Sequence, residues 1–330
     1  MNKLKKLIED GLKQGTYSAI SIEVVKDNSV LLNEIVGENI SKDHRYDLAS
    51  LTKPLSTAML ASILLSNKTL DKKTKIGDIY SEYSISLNPA LSEITIQDLL
   101  DHSSGLEAWF PIYKTVRSRS DAYMFVRSRT PSYKKNEKHL YSDLGYIMLG
   151  EIIEVIFQKR LDYLFDHYIS SPLNLRKLSF VSTKTENEEK KDKFVSTGFS
   201  DIRNKNLCGE VNDENAFVLE GVAGHAGLFG TIDQTSRLAT HILNIIKDKE
   251  EHDHITKDTL LNMIKRSDNS EWACGWHYPS QKNSSSGTLM SKNSIGMTGF
   301  TGTSIWIDID REIVITVLSN RTVAKDSAKF

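Results

Sequence analysis

The stretch DLASLTKPLSTAMLASILL, residues 47–65, sets Ser50 three residues before Lys53. Residues three apart on a helix share a face, so hydroxyl and amine would point the same way. Pro54 is tolerated only in a first helical turn, which puts the helix start close to Ser50. Proline also disfavours helical geometry at the residue before it, so an irregular first turn at Lys53 is expected. The positive end of the helix dipole would then face the hydroxyl and favour an anion forming there. Behind Pro54 the run MLASILL is core-like and would draw the lysine stem out of water. A desolvated amine sheds its proton more readily and can take one from serine. The same residues also describe a plain helix cap beside a snorkelling lysine. Ser132-Tyr-Lys-Lys135 repeats the spacing in a polar segment after Pro131, with no apolar helix behind it.

Two further segments add chemistry. Tyr141-Ser142-Asp143 precedes LGYIMLGEIIEVI, a second buried-looking helix. A tyrosine there could share a proton with Lys53 and act as general base, an effect of roughly 10²–10⁴-fold; a helix-start tyrosine beside a capping Asp143 fits the residues equally well. Gly296-Met-Thr-Gly-Phe-Thr-Gly302 runs straight into the strand-like TSIWIDI. Glycines before a strand let a ligand approach the backbone. A backbone N–H there, opposite that of Ser50, would make an oxyanion hole, each donor worth roughly 10²–10³-fold.

These residues need a scaffold. MNKLKKLIEDGLKQG carries Leu4, Leu7, Ile8 and Leu12 at helical spacing and reads as an amphipathic surface helix. Ser18–Lys26 and Val30–Val36 are β-rich runs around Asp27-Asn28, and Thr303–Ile309 and Glu312–Ser319 flank Asp310-Arg311; both pairs read as hairpins. Helical patterns occupy Leu55–Leu65, Thr95–Leu100, Tyr146–Phe157 and Leu161–Tyr168. Strands at both ends with helices between predict an α+β protein, its antiparallel sheet built from both termini. The expected division is a sheet domain from residues 1–60 and 215–330, with a mainly helical insertion at 61–214. Thr231-x-x-Gln234 resembles a capping box opening a helix to about Ile246. Thr185–Lys193 and Asn283–Gly287 read as loops.

The 330 residues carry 42 Lys and Arg against 43 Asp and Glu, which gives no general attraction to nucleic acid or anionic membrane. Two cysteines, Cys208 and Cys274, require no disulfide framework, although one bridge between them stays open. The N-terminal segment lacks the apolar core of a secretion signal, and no run approaches the roughly 18 apolar residues of a membrane span. A cytoplasmic protein is expected, unless a leader has been trimmed.

In order, the motifs DLASLTKPLST, ITIQDLLDHSSGL, YSDLGYIMLGEIIE, VAGHAGLFGTIDQTSRL and GMTGFTGTSIWIDIDREIVITVLSNR resemble the serine β-lactamase and penicillin-binding-protein superfamily. The branch is that of class C β-lactamases, related esterases and D-aminopeptidases. The similarity spans nearly the whole chain. Tyr141 stands 91 positions after Ser50 and Met297 156 positions after Tyr141, offsets that suit the family. The resemblance implies an α/β sandwich joined to an all-helical domain. It implies Ser50 as acylated nucleophile, Lys53 as its proton partner and Tyr141 as general base. Asp143 occupies the usual Asn position. Met297-Thr298-Gly299 falls where the family has Lys-Thr-Gly or His-Thr-Gly, and the N–H groups of Ser50 and Phe300 would form the oxyanion hole. The implied reaction passes through an acyl-enzyme that water releases, with no metal or organic cofactor.

Two departures bear on substrate. At 297 a thioether replaces a cation, and at 143 an anion replaces an amide, so carboxylate-bearing β-lactams and D-Ala-D-Ala peptides are expected to be disfavoured. The expected substrates are small neutral or cationic esters or amides, or peptide-like compounds. The alternatives are a D-alanyl-D-alanine carboxypeptidase or weak β-lactamase, and a non-catalytic relative that only binds ligand. Asp143 should also hold Lys53 charged and leave more of the base role to Tyr141. His225, in the glycine-rich GHAGLFG, either supplies a polar function missing at 297 or is a turn histidine bonded to backbone. Asp101, His102 and Ser103 offer a Ser-His-Asp set, against which their adjacency and the lack of a G-x-S-x-G elbow weigh. His252 and His254 fit a weak metal site or a charged surface loop. Trp109, Phe110 and Tyr113 fit an acyl pocket or core packing. Oligomeric state is not legible.

Overall fold

The structure is a computed structural model and describes residues 2–184, 193–266, 270–280 and 282–324. The charge run at 185–192 lies outside the described residues. Five antiparallel strands form the main sheet in the order β2–β1–β10–β9–β8. They are β1 (Ala19–Lys26), β2 (Ser29–Gly37), β8 (Ile295–Gly299), β9 (Thr303–Asp308) and β10 (Ile313–Ser319). Asp27 and Asn28, both at positive φ, make the two-residue β1–β2 turn that the right-handed strand twist favours. Between β2 and β8 lie short strands: β3 (Tyr46–Asp47), β4 (Ser179–Phe180) and β7 (Leu228–Gly230) in one small sheet, β5 (Gly198–Ser200) and β6 (Lys205–Leu207) in another.

The helices are α1 (Asn2–Lys13), α2 (Met59–Ser66), α3 (Ile76–Glu82), α4 (Ile96–Leu100), α5 (Arg119–Arg127), α6 (Asp143–Phe157), α7 (Leu161–Phe165), α8 (Glu214–Val218), α9 (Ile232–Ile246) and α10 (Lys257–Met263). Alternation along β1 decides the layers. Ile20 and Ile22 pack with Ile8 and Tyr17 on the α1 side, while Ala19 and Val25 join the large core with α9 and the helical region. The protein is therefore α+β, a central antiparallel sheet flanked by helices.

Two local expectations change. Thr231 precedes α9, but its hydroxyl donates to Asp233 and the Gln234 side chain accepts from the Lys177 N–H, so no capping box forms there. The capping box sits at Thr95 and Asp98, opening α4. Cys208 and Cys274 form no disulfide. Among the described residues, no helix is long and apolar enough to cross a membrane, and no cluster of three or more His, Cys, Asp or Glu could hold a metal.

Candidate active site

Ser50 sits where β3 ends and the helical region begins. Ala49–Leu51 is a 3₁₀ turn, Lys53–Ala58 winds as π-helical turns, and α2 follows. The irregular first turn matches the restriction Pro54 places on Lys53. Ala49 carries φ 47°, a left-handed conformation that a residue with a Cβ rarely adopts. The buried Asp47 holds it by accepting the Ala49 N–H at 2.8 Å, while its other oxygen accepts the Asn212 N–H at 2.6 Å. Burial pushes the Asp47 carboxyl up to about 6, the two N–H bonds offsetting only part.

Lys53 is completely buried. Its Nζ donates to Ser50 Oγ at 3.1 Å, Tyr141 Oη at 2.5 Å and the His225 carbonyl at 3.1 Å. Asp143 Oδ1 lies 2.7 Å from the same nitrogen as an ionic contact, without hydrogen-bond geometry. Ser50 Oγ and Tyr141 Oη are 2.6 Å apart. Serine, lysine and tyrosine, spread over 91 residues, thus meet within one hydrogen-bonded triangle.

The charge state differs from the simplest expectation for a buried lysine. Burial presses Lys53 toward neutrality, but the Asp143 carboxylate and the Tyr141 phenol outweigh it and leave its pKa above the ordinary lysine value. Lys53 is an ammonium, not a resting base. Burial likewise raises the Tyr141 phenol to about 12, with Lys53 pulling the other way.

Tyr141 is placed by the residues around α6. The Ser142 hydroxyl, not Asp143, caps that helix by accepting the Gly145 N–H, and it donates to the Glu107 carbonyl. The Ser142 N–H donates to His102 Nδ1, and the Asp143 N–H to the Ala108 carbonyl. His102 is a packing histidine, its ring 4.9 Å from that of Tyr141 and 4.7 Å from that of Trp272. Burial, helped by Lys53, depresses its pKa well below the ordinary value. Ser103 donates to Asp101, so the alternative Ser-His-Asp set does not assemble.

The segment Met297–Phe300 ends β8 against the Ser50 turn. Thr301 and Thr303 hydroxyls donate to the Asp47 and Leu48 carbonyls at 2.7 and 3.0 Å and clamp the two segments together. Met297 is 2% exposed and packs into the core, Thr298 is exposed, and Phe300 is 64% exposed. Gly299 is required there, because a Cβ would stand 2.1 Å from Thr303 Oγ1 and 2.7 Å from the Leu48 carbonyl.

Ser50, Tyr141 and Phe300 form a wall shared by two clefts. One, of about 490 Å³, is also lined by Trp109, Tyr113, Asp143, Asp213, Glu214 and His225. The other, of about 630 Å³, adds Trp272, Met297, Thr298 and Arg321. Trp109 is 49% exposed at its cleft. Phe110 packs instead against Phe125 and Arg129. His225 is buried, and its ring bonds not to backbone but to Asp213, Nε2 to Oδ1 at 2.9 Å. His252 is occupied as well, its Nε2 on the Tyr168 carbonyl and its Nδ1 accepting from the His254 N–H. Sequence reasoning missed Asp213, Trp272 and Arg321. Arg321 closes the quoted motif LSNR, whereas VNDENA around Asp213 gave no signal.

Comparison with known proteins follows this geometry. The family model described as Beta-lactamase matches residues 4–329. An N-acetylmuramyl-L-alanine amidase of Bacillus subtilis (strain 168) is 29% identical over 97% of this chain and 81% of its own. A protein of Escherichia coli (strain K12), provisionally named a D-alanyl-D-alanine carboxypeptidase, is 27% identical over 97% and 82%. Among solved structures, EstCE1, a hydrolase with promiscuous acyltransferase activity, superposes with a TM-score of 0.78 at 14% identity, covering 99% of this chain and 94% of its own.

Proposed function

The chain belongs to the beta-lactamase family, whose members are hydrolases, and from that premise we propose that Ser50 is its acylated nucleophile and that it cleaves small neutral or cationic esters or amides. The observation that carries this reading is the triangle of Ser50, Lys53 and Tyr141 opening on two clefts. Once the Tyr141–Lys53 pair has lost one proton, the Ser50 O–H donates to Tyr141. Oγ then attacks the acyl carbon, its proton passes to the phenolate and on to the leaving group, and the N–H groups of Ser50 and Phe300 hold the oxyanion. Lys53 stays charged and steadies the phenolate.

Substrate preference is supported by two features. Position 297 itself carries a thioether, and Asp213 and Glu214 line the Trp109 cleft, which favours a neutral or positively charged group on that side. Asp143 weighs less than its position suggests, because Lys53 neutralises it.

A second reading, a D-alanyl peptidase or weak β-lactamase, is favoured by Arg321, which lines the Met297 cleft, donates from Nε to the Phe300 carbonyl and brings a positive charge toward a substrate carboxylate. Hydrolysis of nitrocefin and of p-nitrophenyl acetate or butyrate, measured side by side, separates the two. Ester turnover with inert nitrocefin is expected, and the converse reverses the ranking. Intact-mass detection of a fluorophosphonate adduct on wild-type Ser50, lost in Ser50→Ala, tests the nucleophile. A relative that only binds ligand would take no adduct and would lose no function on that substitution.

A further inference from the structure

We propose that His225, oriented by Asp213, is the proton acceptor for the water that releases the acyl group from Ser50. Acylation and deacylation then use different bases. The assignment rests on the acyl-enzyme reading above.

Four observations carry it. First, the ring is buried and fixed, with Nε2 2.9 Å from Asp213 Oδ1. Second, Asp213 is itself fixed, because its Oδ1 also accepts the Ala216 N–H at the start of α8. The Oδ1 that faces the ring already accepts the Ala216 N–H, which makes Asp213 the acceptor toward Nε2. The proton between them therefore sits on Nε2, and the lone pair of the neutral imidazole is on Nδ1. Third, Nδ1 is buried without a hydrogen-bond partner among the described residues. A buried acceptor left unpaired calls for a partner, and a water entering the cleft can supply one. Fourth, the place is right. The His225 carbonyl accepts from Lys53 Nζ, which also donates to Ser50 Oγ, so one ammonium separates the two residues, and both line the Trp109 cleft. Gly224, beside His225, lets this segment pack on α6, since a Cβ there would stand 2.0 Å from the Tyr146 carbonyl.

The water oxygen forms the new bond to the acyl carbon while its proton goes to His225 Nδ1. The oxyanion collapses, the bond from acyl carbon to Ser50 Oγ breaks, and the imidazolium's proton reaches Oγ through solvent, while Tyr141 stays phenolate and Lys53 ammonium. Free acid leaves. Charged groups facing this pocket besides Asp213 are Asp47, Asp143 and Glu214, with Lys53 at its floor.

The test is steady-state hydrolysis of p-nitrophenyl butyrate by the full chain, wild type against His225→Gln and Asp213→Asn, with intact mass read during turnover. Expected for H225Q is kcat down about 10²-fold with kcat/KM unchanged, KM falling in parallel, and acyl-enzyme accumulating on Ser50. D213N moves the same way by less. Unchanged kcat, or kcat and kcat/KM falling together without accumulated acyl-enzyme, overturns the assignment. Should circular dichroism show H225Q unfolded, the same criteria apply to D213N. A wild-type Ser50 that never carries an acyl group overturns the acyl-enzyme reading and this assignment together, whereas an acylated Ser50 with unmoved kcat overturns this assignment alone.

Discussion

Replacing Asp143 by Asn removes a charge from Lys53 without removing a hydrogen bond. Its Oδ1 lies 2.7 Å from Nζ as an ionic contact only, while the lysine donates to Ser50, Tyr141 and the His225 carbonyl. At an effective dielectric of about 20, opposite charges 2.7 Å apart attract by roughly 6 kcal/mol. That is an upper figure, because both groups also lose hydration and the Asn amide keeps a dipole. The sign follows from the proton that must be absent before acylation. The active form has lost one proton from the Tyr141–Lys53 pair, and Asp143 raises the pKa of both members. Without its charge the pair deprotonates sooner. The acid limb of kcat/KM for p-nitrophenyl butyrate should therefore move to lower pH, by about 1–3 pH units, the usual effect of one adjacent opposite charge. At a pH on the wild-type limb, D143N should be the faster enzyme. A limb that stays in place, or moves upward, refutes the reasoning, since it would mean that Asp143 does not set the proton inventory around Ser50.

Gly299→Ala should cut kcat by about 10²–10³-fold, the effect of losing one oxyanion donor, because its Cβ would push the end of β8 off the Ser50 turn. Activity within threefold of wild type would show that the turn tolerates the shift. Asp47 gives a stability test. Its carboxyl is raised to about 6 in the folded protein, against an ordinary 3.8 in the unfolded chain, so the native state binds the extra proton. Its contribution is fullest below the unfolded value and is lost as pH rises through about 6, on the order of 3 kcal/mol. Relative to wild type, Asp47→Asn should lose more stability at pH 5 than at pH 8, read from paired thermal melts. An equal loss at both would place the Asp47 effect in its hydrogen bonds alone.

How much of this was legible in sequence depends on range. Short-range rules served well. Asp27-Asn28 announced the hairpin and Pro54 fixed the helix start near Ser50, whereas the glycine at 299, read as room for a ligand, proved to be room for the Leu48 carbonyl. The resemblance then supplied the pairing of Ser50 with Tyr141, which no local pattern contains. Decisions between nearly equal local partners were not legible. Thr231 had Gln234 at capping-box spacing, yet its hydroxyl bonds Asp233 and the Gln234 side chain bonds the Lys177 N–H. His225 looked like a turn histidine until Asp213 arrived from another loop to bind its ring.

The protonation of Lys53 is the sharpest case of that limit. Burial alone argues for a neutral amine, and the apolar run after Pro54 supports burial. The answer depends instead on a carboxylate 90 residues along the chain, and on counting donors. An ammonium has three protons, and all three are directed, to Ser50 Oγ, Tyr141 Oη and the His225 carbonyl. Lys53 has no lone pair to offer serine in that state. Tyr141 Oη receives one of those protons at 2.5 Å and lies 2.6 Å from Ser50 Oγ, so a phenolate there would accept from both neighbours at once. The phenol, by contrast, must compete with Lys53 to donate to Ser50. The proton whose loss readies the site is therefore the one on Tyr141, with Lys53 acting as the fixed positive charge that makes its loss affordable.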